Sequence, residues 1–231
     1  MPQAGQLAIR HQPTANALLH HDTIVSVPFE ENTYVFWLEG REDCVIVDPG
    51  MQPKKIVASA EERGLTPAAI LLTHGHSDHI FGNEAMKHRW PGVPLIIGHG
   101  DAYKLTDPEA NLSAQFGFPL TTPPADQTVA EGDTLELAGL SLKVIETPGH
   151  SAGHVTFLAE HDGVTHAIAG DVLFRGSVGR SDFFDGDARQ LRDSIHQKLF
   201  PLPDDTIVYP GHGPTTTIGW ERKHNPIVGL R

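Results

Sequence analysis

The chain has 231 residues, enough for one large domain or two small ones with a substantial buried core. Its hydrophobic fraction of 39% and charged fraction of 20% are typical of a globular protein. The formal net charge of −12 argues against a general nucleic-acid or anionic-membrane surface, because such surfaces need clustered Lys and Arg.

The sequence shows no sign of a secretory leader or a membrane helix. The N-terminus lacks a charged start followed by a continuous apolar run. No stretch approaches the roughly 20 apolar residues that a membrane helix requires. We therefore predict a cytoplasmic protein without a membrane or nucleic-acid partner.

The first half of the chain predicts alternating strands and helices after a polar start. We interpret residues 1–22 as an N-terminal arm that precedes a single domain spanning 23–231. Apolar runs and helix-compatible runs predict the elements that follow. These are strands at 24–27, 34–38, 45–47, 69–72 and 95–97, and helices at 54–63 and 80–90. Residues 105–125, rich in Pro, Thr and Asn, are predicted to form a long surface loop of the kind that often serves as a lid or substrate wall.

The second half predicts a further group of strands. Leu191, Ile195 and Leu199 recur at four-residue spacing, which predicts a helix over 188–200. The predicted strands are 135–137, 140–147, 154–159, 164–169 and 206–209. Two groups of strands with helices after or between them predict an α/β fold in which two sheets pack face to face and helices cover the outside.

Four candidate metal ligands lie within six residues, directly after the predicted strand at 69–72. His74 and His76 are two residues apart, so both can point to one side of an extended segment. Asp78 and His79 fall at the start of the next predicted helix, where the backbone turns and aims them elsewhere. This short segment is therefore able to serve two adjacent metal ions.

Three further candidates stand alone at the ends of later strands. His150, Asp171 and His212 each follow a glycine, which suits a tight turn. Together the seven residues offer five imidazoles and two carboxylates, donors that suit zinc and its first-row neighbours. We therefore predict a site for two divalent metal ions, with zinc favoured and iron or manganese also compatible.

The run Thr-His-x-His-x-Asp-His, followed by the later His, Asp and His, resembles the metallo-β-lactamase superfamily. The resemblance covers nearly the whole chain, from about Val25 to Pro226. It implies a four-layer αββα sandwich, the metallo-β-lactamase fold. It also implies that one metal ion is bound by His74, His76 and His150, and the other by Asp78, His79 and His212, with Asp171 bridging both.

Within this superfamily the chain resembles the glyoxalase II branch, the hydroxyacylglutathione hydrolases. An aspartate at the bridging position, Asp171, is typical of that branch, and so are the segments 179–183, 209–214 and 221–226. Too few residues follow His212 to form a C-terminal helical domain, so the resemblance is to the short bacterial form. The implied activity is a thioesterase that hydrolyses S-lactoylglutathione, or a related hydroxyacyl-glutathione, to the hydroxy acid and glutathione.

The resemblance also implies a mechanism and residue roles. Two metal ions lower the pKa of a shared water to about 7, and the hydroxide so formed attacks a carbonyl that a metal ion polarises. Asp78 and Asp171 would orient this hydroxide in addition to binding metal. Arg180 is a candidate partner for a substrate carboxylate, although an ion pair with Asp182 or Asp185 explains its presence equally well.

Other interpretations remain open. A mononuclear iron dioxygenase acting on glutathione persulfide belongs to the same superfamily, and by resemblance its iron would use only His76, His150 and Asp171. A nuclease of the superfamily would want a basic groove or a clamp domain, and a non-catalytic member usually loses ligands; the sequence shows neither feature. Asp48 either accepts a hydrogen bond from a ligand histidine or caps a turn, and His154 is predicted to pack or orient rather than bind metal.

Overall fold

The computed structural model describes residues 17–230. Its strands are β1 (Leu19–Ser26), β2 (Glu31–Leu38), β3 (Asp43–Val47), β4 (Thr66–Leu72), β5 (Leu95–Gly98), β6 (Gln127–Val129), β7 (Thr134–Leu137), β8 (Leu140–Glu146), β9 (Val155–His161), β10 (Val164–Gly170), β11 (Leu173–Phe174), β12 (Ser177–Val178), β13 (Ile207–Pro210) and β14 (Thr216–Thr217). Its α-helices are α1 (Pro53–Glu62), α2 (Ser77–Ile80), α3 (Asn83–Arg89), α4 (Ala188–Ser194) and α5 (Ile218–His224). A 3₁₀ helix (His99–Thr106) follows β5, and a π-helical segment (Ile195–Leu199) extends α4.

Two six-stranded sheets form the centre of the molecule. The first has the order β1-β2-β3-β4-β5-β6 and is parallel from β3 to β6. The second has the order β14-β13-β10-β9-β8-β7 and is antiparallel except where β10 pairs with β13. The remaining two strands, β11 and β12, form a small hairpin.

Three hydrophobic clusters define the layers. One lies between the sheets, where Phe36 of β2 and Phe157 of β9 belong to the same buried cluster. A second packs Ile56 of α1 and Met86 of α3 on the outer face of the first sheet. The third packs Leu191 of α4 on the outer face of the second sheet. The predicted four-layer αββα sandwich is therefore confirmed, and burial of these apolar faces is its main source of stability.

Local sequence signals explain where the longer helices begin and end. Pro53 occupies the first turn of α1, where its missing N–H costs nothing, and Gly64 with a φ of 69° follows the end of that helix. The Asp187 carboxylate caps α4 by accepting hydrogen bonds from the backbone N–H groups of Arg189 and Gln190.

Two predicted boundaries are wrong. Strand β1 begins at Leu19, so residues 19–22 of the predicted N-terminal arm belong to the first sheet; residues 1–16 of that arm lie outside the described part of the chain. The helix predicted over 80–90 is two helices, α2 and α3. The break falls at Gly82, which packs so tightly on the turn after β3 that a Cβ there would lie 2.7 Å from the Pro49 carbonyl oxygen. The helix predicted over 188–200 is confirmed as a helical span from Ala188 to Leu199, in which α geometry changes to π geometry at Ile195.

The segment 105–125 is only partly the surface loop that composition predicts. It has no strand, as expected, but the 3₁₀ helix extends into it as far as Thr106. The residues of its middle portion, from Ala110 to Ser113, are buried. The Asn111 amide ties the segment together by donating hydrogen bonds to the carbonyl oxygens of Lys104 and Leu120, at 3.0 and 2.9 Å. Among residues 17–230, no helix is long and apolar enough to cross a membrane.

Candidate metal centre

Three histidine side chains from two loops meet beyond the C-terminal end of β4. His74 and His76 follow β4 directly, whereas His150 lies on the loop between β8 and β9. The His74 Nε2 atom lies 3.2 Å from His150 Nε2, and His76 Nδ1 lies 2.9 Å from the same atom. All three side chains are buried. We call this cluster the histidine group; its three ring nitrogens converge as the ligands of a first-row cation do.

A second cluster, the carboxylate group, lies beside it. Asp78 and His79 stand in the first turn of α2, and His212 follows β13. The Asp78 Oδ2 atom lies 3.4 Å from His212 Nε2 and 3.8 Å from His79 Nε2. The group offers one carboxylate and two imidazole donors within reach of a single ion.

Asp171, directly after β10, joins the two groups. Its Oδ2 atom lies 3.4 Å from Nε2 of both His150 and His212, and its Oδ1 atom lies 3.4 Å from His79 Nε2. A glycine is required opposite this carboxylate, because a Cβ at Gly211 would come within 2.1 Å of Asp171 Oδ1. All seven residues that the sequence singles out therefore lie together, with the carboxylate of Asp171 between the two groups.

Two buried atoms of this cluster indicate that a cation fits it. Within the described chain, Asp171 Oδ1 and His79 Nε2 are both buried and have no hydrogen-bond partner. Buried polar atoms are normally satisfied, and leaving them unpaired costs free energy. An ion bound by oxygen and imidazole nitrogen would satisfy both atoms, so the donor set fits the two divalent metal ions predicted from the sequence.

Burial in the histidine group favours neutral imidazoles. Burial lowers the pKa of His74 and His76 well below the usual value, and neighbouring imidazoles lower both further. Burial also lowers the pKa of His150, although Asp171 opposes this effect. The lone pairs of these rings are therefore free to bind a cation without first losing a proton.

In the carboxylate group, by contrast, the surroundings favour protonated histidines and ionised aspartates. Burial disfavours the charged imidazoles, but the Asp171 and Asp78 carboxylates outweigh it and raise the pKa of His79 well above the usual value. Against the same effect of burial, Asp171 in particular raises the pKa of His212 to about 10. Burial raises the pKa of Asp171, yet His79 and His212 hold it well below the usual range. A cation entering this group displaces protons from its histidines.

Asp48 orients His79 from behind. Its Oδ2 atom lies 3.0 Å from His79 Nδ1 and accepts a hydrogen bond of 2.7 Å from the Thr73 hydroxyl, while its Oδ1 atom accepts one of 2.8 Å from the Thr73 backbone N–H. With Nδ1 directed at Asp48, His79 turns its Nε2 atom toward the centre, where a cation would bind in place of the Nε2 proton. Of the two roles left open for Asp48, the contact with a candidate ligand histidine is the one observed.

Two further contacts orient the single residues on the second sheet. His154 accepts a hydrogen bond of 3.1 Å at Nε2 from the backbone N–H of Asp171, and its Nδ1 atom lies 3.0 Å from the Thr147 hydroxyl. His154 thus orients rather than joins the cluster, as predicted. His150 Nδ1 lies 2.6 Å from the carbonyl oxygen of Arg180, which leaves His150 Nε2 facing the centre.

The side chain of Arg180 is exposed and paired. Its Nε and one terminal nitrogen donate hydrogen bonds of 2.9 and 2.8 Å to the two carboxylate oxygens of Asp182. The ion pair that the sequence left open is therefore formed with Asp182 and not with Asp185. The proposed contact between Arg180 and a substrate carboxylate stays a prediction.

Sequence reasoning missed a buried aspartate that connects the two histidine loops. Asp101, on the 3₁₀ helix, accepts hydrogen bonds at Oδ2 from the Gly75 N–H at 2.9 Å and from the Ser151 hydroxyl at 2.8 Å. Its Oδ1 atom accepts one of 2.8 Å from the Gly153 N–H. Gly75 lies between His74 and His76, so one carboxylate holds both loops of the histidine group.

The charge of Asp101 is balanced by a fully buried lysine. Lys104 Nζ lies 3.3 Å from Asp101 Oδ1 and 2.7 Å from Asp185 Oδ2, and the lysine side chain is 0% exposed. Asp185 in turn accepts a hydrogen bond of 3.1 Å from the Ala152 N–H. The spacing of Asp101 and Lys104 is a common one for exposed helical ion pairs, so nothing local in the sequence signals their burial.

The clusters open into a cavity of about 260 Å³. Five of the seven candidate ligands line it, namely His76, Asp78, His150, Asp171 and His212. Its described walls are largely apolar and comprise Phe29, Leu112, Phe116, Phe174, Val178 and Phe183, with Ser77, Ser177 and Arg180. Leu112 and Phe116 come from the segment 105–125, which therefore forms part of the wall.

Comparison with known proteins identifies the family. The model of the metallo-beta-lactamase superfamily matches residues 27–212. The chain belongs to this superfamily, and the fold described above is the metallo-β-lactamase fold.

Two relatives align with this chain over most of their own length. The chain is 37% identical over 202 residues to the "Probable metallo-hydrolase YqgX" of Bacillus subtilis, an alignment that covers 87% of this chain and 93% of that protein. It is 36% identical over 205 residues to the "Hydroxyacylglutathione hydrolase GloC" of Haemophilus influenzae, covering 88% and 95% respectively. These relatives indicate a metallo-hydrolase.

Solved structures of other proteins have the same fold as this chain. The BLEG-1 B3 metallo-beta-lactamase superposes with a TM-score of 0.85 at 38% identity, covering 90% of this chain and 99% of that one. TTHA1623 in a di-iron-bound form superposes with a TM-score of 0.76 at 37% identity, covering 89% and 98%. ETHE1 from Myxococcus xanthus superposes with a TM-score of 0.75 at 28% identity, covering 92% and 86%.

Proposed function

We propose that the protein is a binuclear, metal-dependent thioester hydrolase, and that S-lactoylglutathione or a related hydroxyacyl-glutathione is its substrate. The observation that carries the proposal is the Asp171 carboxylate, which lies between two complete groups of donors. The identity of 36% to a hydroxyacylglutathione hydrolase supports the choice of substrate.

The proposal gives each group a separate ion. His74, His76 and His150 would hold one divalent ion, and the carboxylate group would hold the other, with Asp171 shared. Zinc is the first candidate because it binds both imidazole and carboxylate donors; the di-iron form of TTHA1623 makes iron the second. Bound there, such ions would supply Lewis acidity that activates a water and polarises a carbonyl.

The chain's own residues position the reactants. Asp78 and Asp171 would orient the attacking water, and the contact between His79 Nδ1 and Asp48 supports this role by fixing the ring beside them. In the net reaction, the water oxygen forms a bond to the acyl carbon and the carbon–sulfur bond breaks. The sulfur leaves with the bonding electron pair and takes up a proton, which yields a hydroxy acid and glutathione.

A dioxygenase acting on glutathione persulfide, the alternative left open by the superfamily resemblance, is the second candidate, because its implied iron ligands lie together here. Such an enzyme would need one iron bound by His76, His150 and Asp171. The carboxylate group argues for hydrolysis instead, since its two histidines and Asp78 are aligned on the same centre and a one-iron enzyme would leave them without a role.

The test compares three reactions on one preparation. Protein stripped with a chelator and reloaded with zinc, iron or manganese is assayed with S-lactoylglutathione, with glutathione persulfide under oxygen, and with a cephalosporin, since BLEG-1 is named a β-lactamase. We expect thioester cleavage that disappears on chelation and returns with metal. Oxygen uptake with the persulfide, or cephalosporin hydrolysis, without thioester cleavage would refute the proposal.

A further inference from the structure

Aromatic side chains line the cavity beside each of the two donor groups. On one side, Phe116 packs edge to face on Phe29, with ring centroids 5.1 Å apart, and Phe118 stacks on Phe116 at 6.4 Å. On the other, the Phe183 ring lies 5.2 Å from that of His76 and 5.9 Å from that of His150. We call the first side, Phe29 and Phe116, the aromatic wall.

One polar contact connects the aromatic wall to the candidate metal centre. The carbonyl oxygen of Phe29 lies 3.0 Å from His212 Nδ1, so the position of the wall is tied to the ring that would bind metal. Phe116 is 48% exposed although it lines the cavity. Large apolar side chains exposed beside a functional cavity indicate a surface for an apolar ligand group.

The charge of the walls decides which part of a glutathione thioester faces these rings. Glutathione carries two carboxylates and an ammonium group, and burying unpaired charges against phenyl rings is costly. Among the described residues that line the cavity, Arg180 has the one guanidinium or ammonium side chain, and this side chain is exposed to solvent, where it pairs with Asp182. The tripeptide is therefore better accommodated at the solvent side, and the acyl group against the rings.

We propose that the aromatic wall of Phe29 and Phe116 is an acyl-binding site, which makes hydroxyacyl thioesters with an aromatic or branched apolar side chain better substrates than S-lactoylglutathione. The inference rests on the proposed thioesterase function and specifies its substrate class. The small lactoyl group cannot cover the wall, whereas a phenyl ring in place of its methyl group can stack there.

The experiment uses two substrates that differ only in this group. S-mandeloylglutathione has a phenyl ring where S-lactoylglutathione has a methyl group, and the thiol and the α-hydroxyl are the same. Each buried methylene contributes a factor of about four, so we expect kcat/KM to be about tenfold or more higher for the mandeloyl substrate. In Phe116→Ala the ratio of the two kcat/KM values should fall to about threefold or less, because the wall loses its exposed ring.

A control variant and a second readout test whether the effect is specific to the aromatic wall. Phe184→Ala removes an exposed phenylalanine that does not line this cavity, and it should retain the substrate ratio of the unmodified enzyme. The second readout is calorimetric binding of the product acids, mandelate and lactate, to the metal-loaded protein. Mandelate should bind more tightly, and Phe116→Ala should remove the difference.

The outcomes separate this inference from the proposed function. Equal or faster cleavage of the lactoyl substrate, or a ratio unchanged in Phe116→Ala, would overturn the acyl-binding site while leaving a thioesterase in place. Cleavage of neither substrate would overturn the proposed function. Product binding would then decide the acyl-binding site: a preference for mandelate that depends on Phe116 supports it, and equal affinities reject it.

Discussion

Replacing Asp171 with alanine is expected to lower kcat/KM for thioester hydrolysis by about a thousandfold or more, the size of effect seen when a central electrostatic group is removed from a reaction site. This carboxylate lies 3.4 Å from ring nitrogens of both donor groups. Without it the two groups lose the oxygen ligand that they share, and His79 and His212 lose the carboxylate that raises their pKa values. Steady-state assays on S-lactoylglutathione measure the loss.

Asp43→Ala is the matched control for this substitution. Asp43 lies at the opposite end of β3 from Asp48, and its carboxylate pairs with Arg41 on the surface at 2.6 Å. Its removal should leave kcat/KM within about twofold of the unmodified value, because this half-buried ion pair does not line the cavity of the candidate site. An Asp171→Ala variant that keeps more than a tenth of the activity would show that this carboxylate is not at the reaction centre.

Replacing Lys104 with methionine is expected to destabilise the protein by about 3–5 kcal/mol, the usual cost of leaving a buried charge without its partner. The substitution keeps an unbranched apolar side chain but removes the ammonium group that balances Asp101 and Asp185. Urea unfolding of the two proteins, compared at unchanged m-value, measures the difference in the free energy of unfolding.

Two further variants identify the cause. Lys198→Met removes a lysine from an exposed pair with Glu131, and it should cost less than about 1 kcal/mol. The double variant Asp101→Asn with Lys104→Met should be less destabilised than the sum of the single variants, because each charge is costly mainly when the other is absent. A loss below about 1 kcal/mol for Lys104→Met would mean that the buried pair does not stabilise the fold.

The parts of the fold that a repeating pattern encodes were predictable from the sequence. Alternating or continuous apolar runs located the main strands of both sheets, and the grouping of those strands led to the αββα sandwich. Short elements without such a pattern were missed: β6, the hairpin of β11 and β12, β14 and the helix α5. The break at Gly82 could not be predicted locally, because it results from contact with the distant turn at Pro49.

The candidate site, like the fold, could be predicted from the sequence only in part. Its seven principal residues stood out because their side-chain types and their positions at strand ends carry a chemical meaning of their own; their role as metal ligands stays a prediction. The supporting residues had no such signal. Asp101 supports the site only because folding brings Gly75 and Ser151 to the same carboxylate. Arg180 contributes its backbone carbonyl oxygen, a role that the chemistry of its side chain does not indicate.

The presence of two adjacent metal ions is the central claim, and metal content by elemental analysis tests it most directly. The measurement compares zinc-reloaded native protein with His212→Ala and with His224→Ala, a control at an exposed histidine outside the site. We predict two equivalents per chain for the native protein and for His224→Ala, and one for His212→Ala, which keeps the histidine group intact. One equivalent in all three proteins would contradict a two-metal centre.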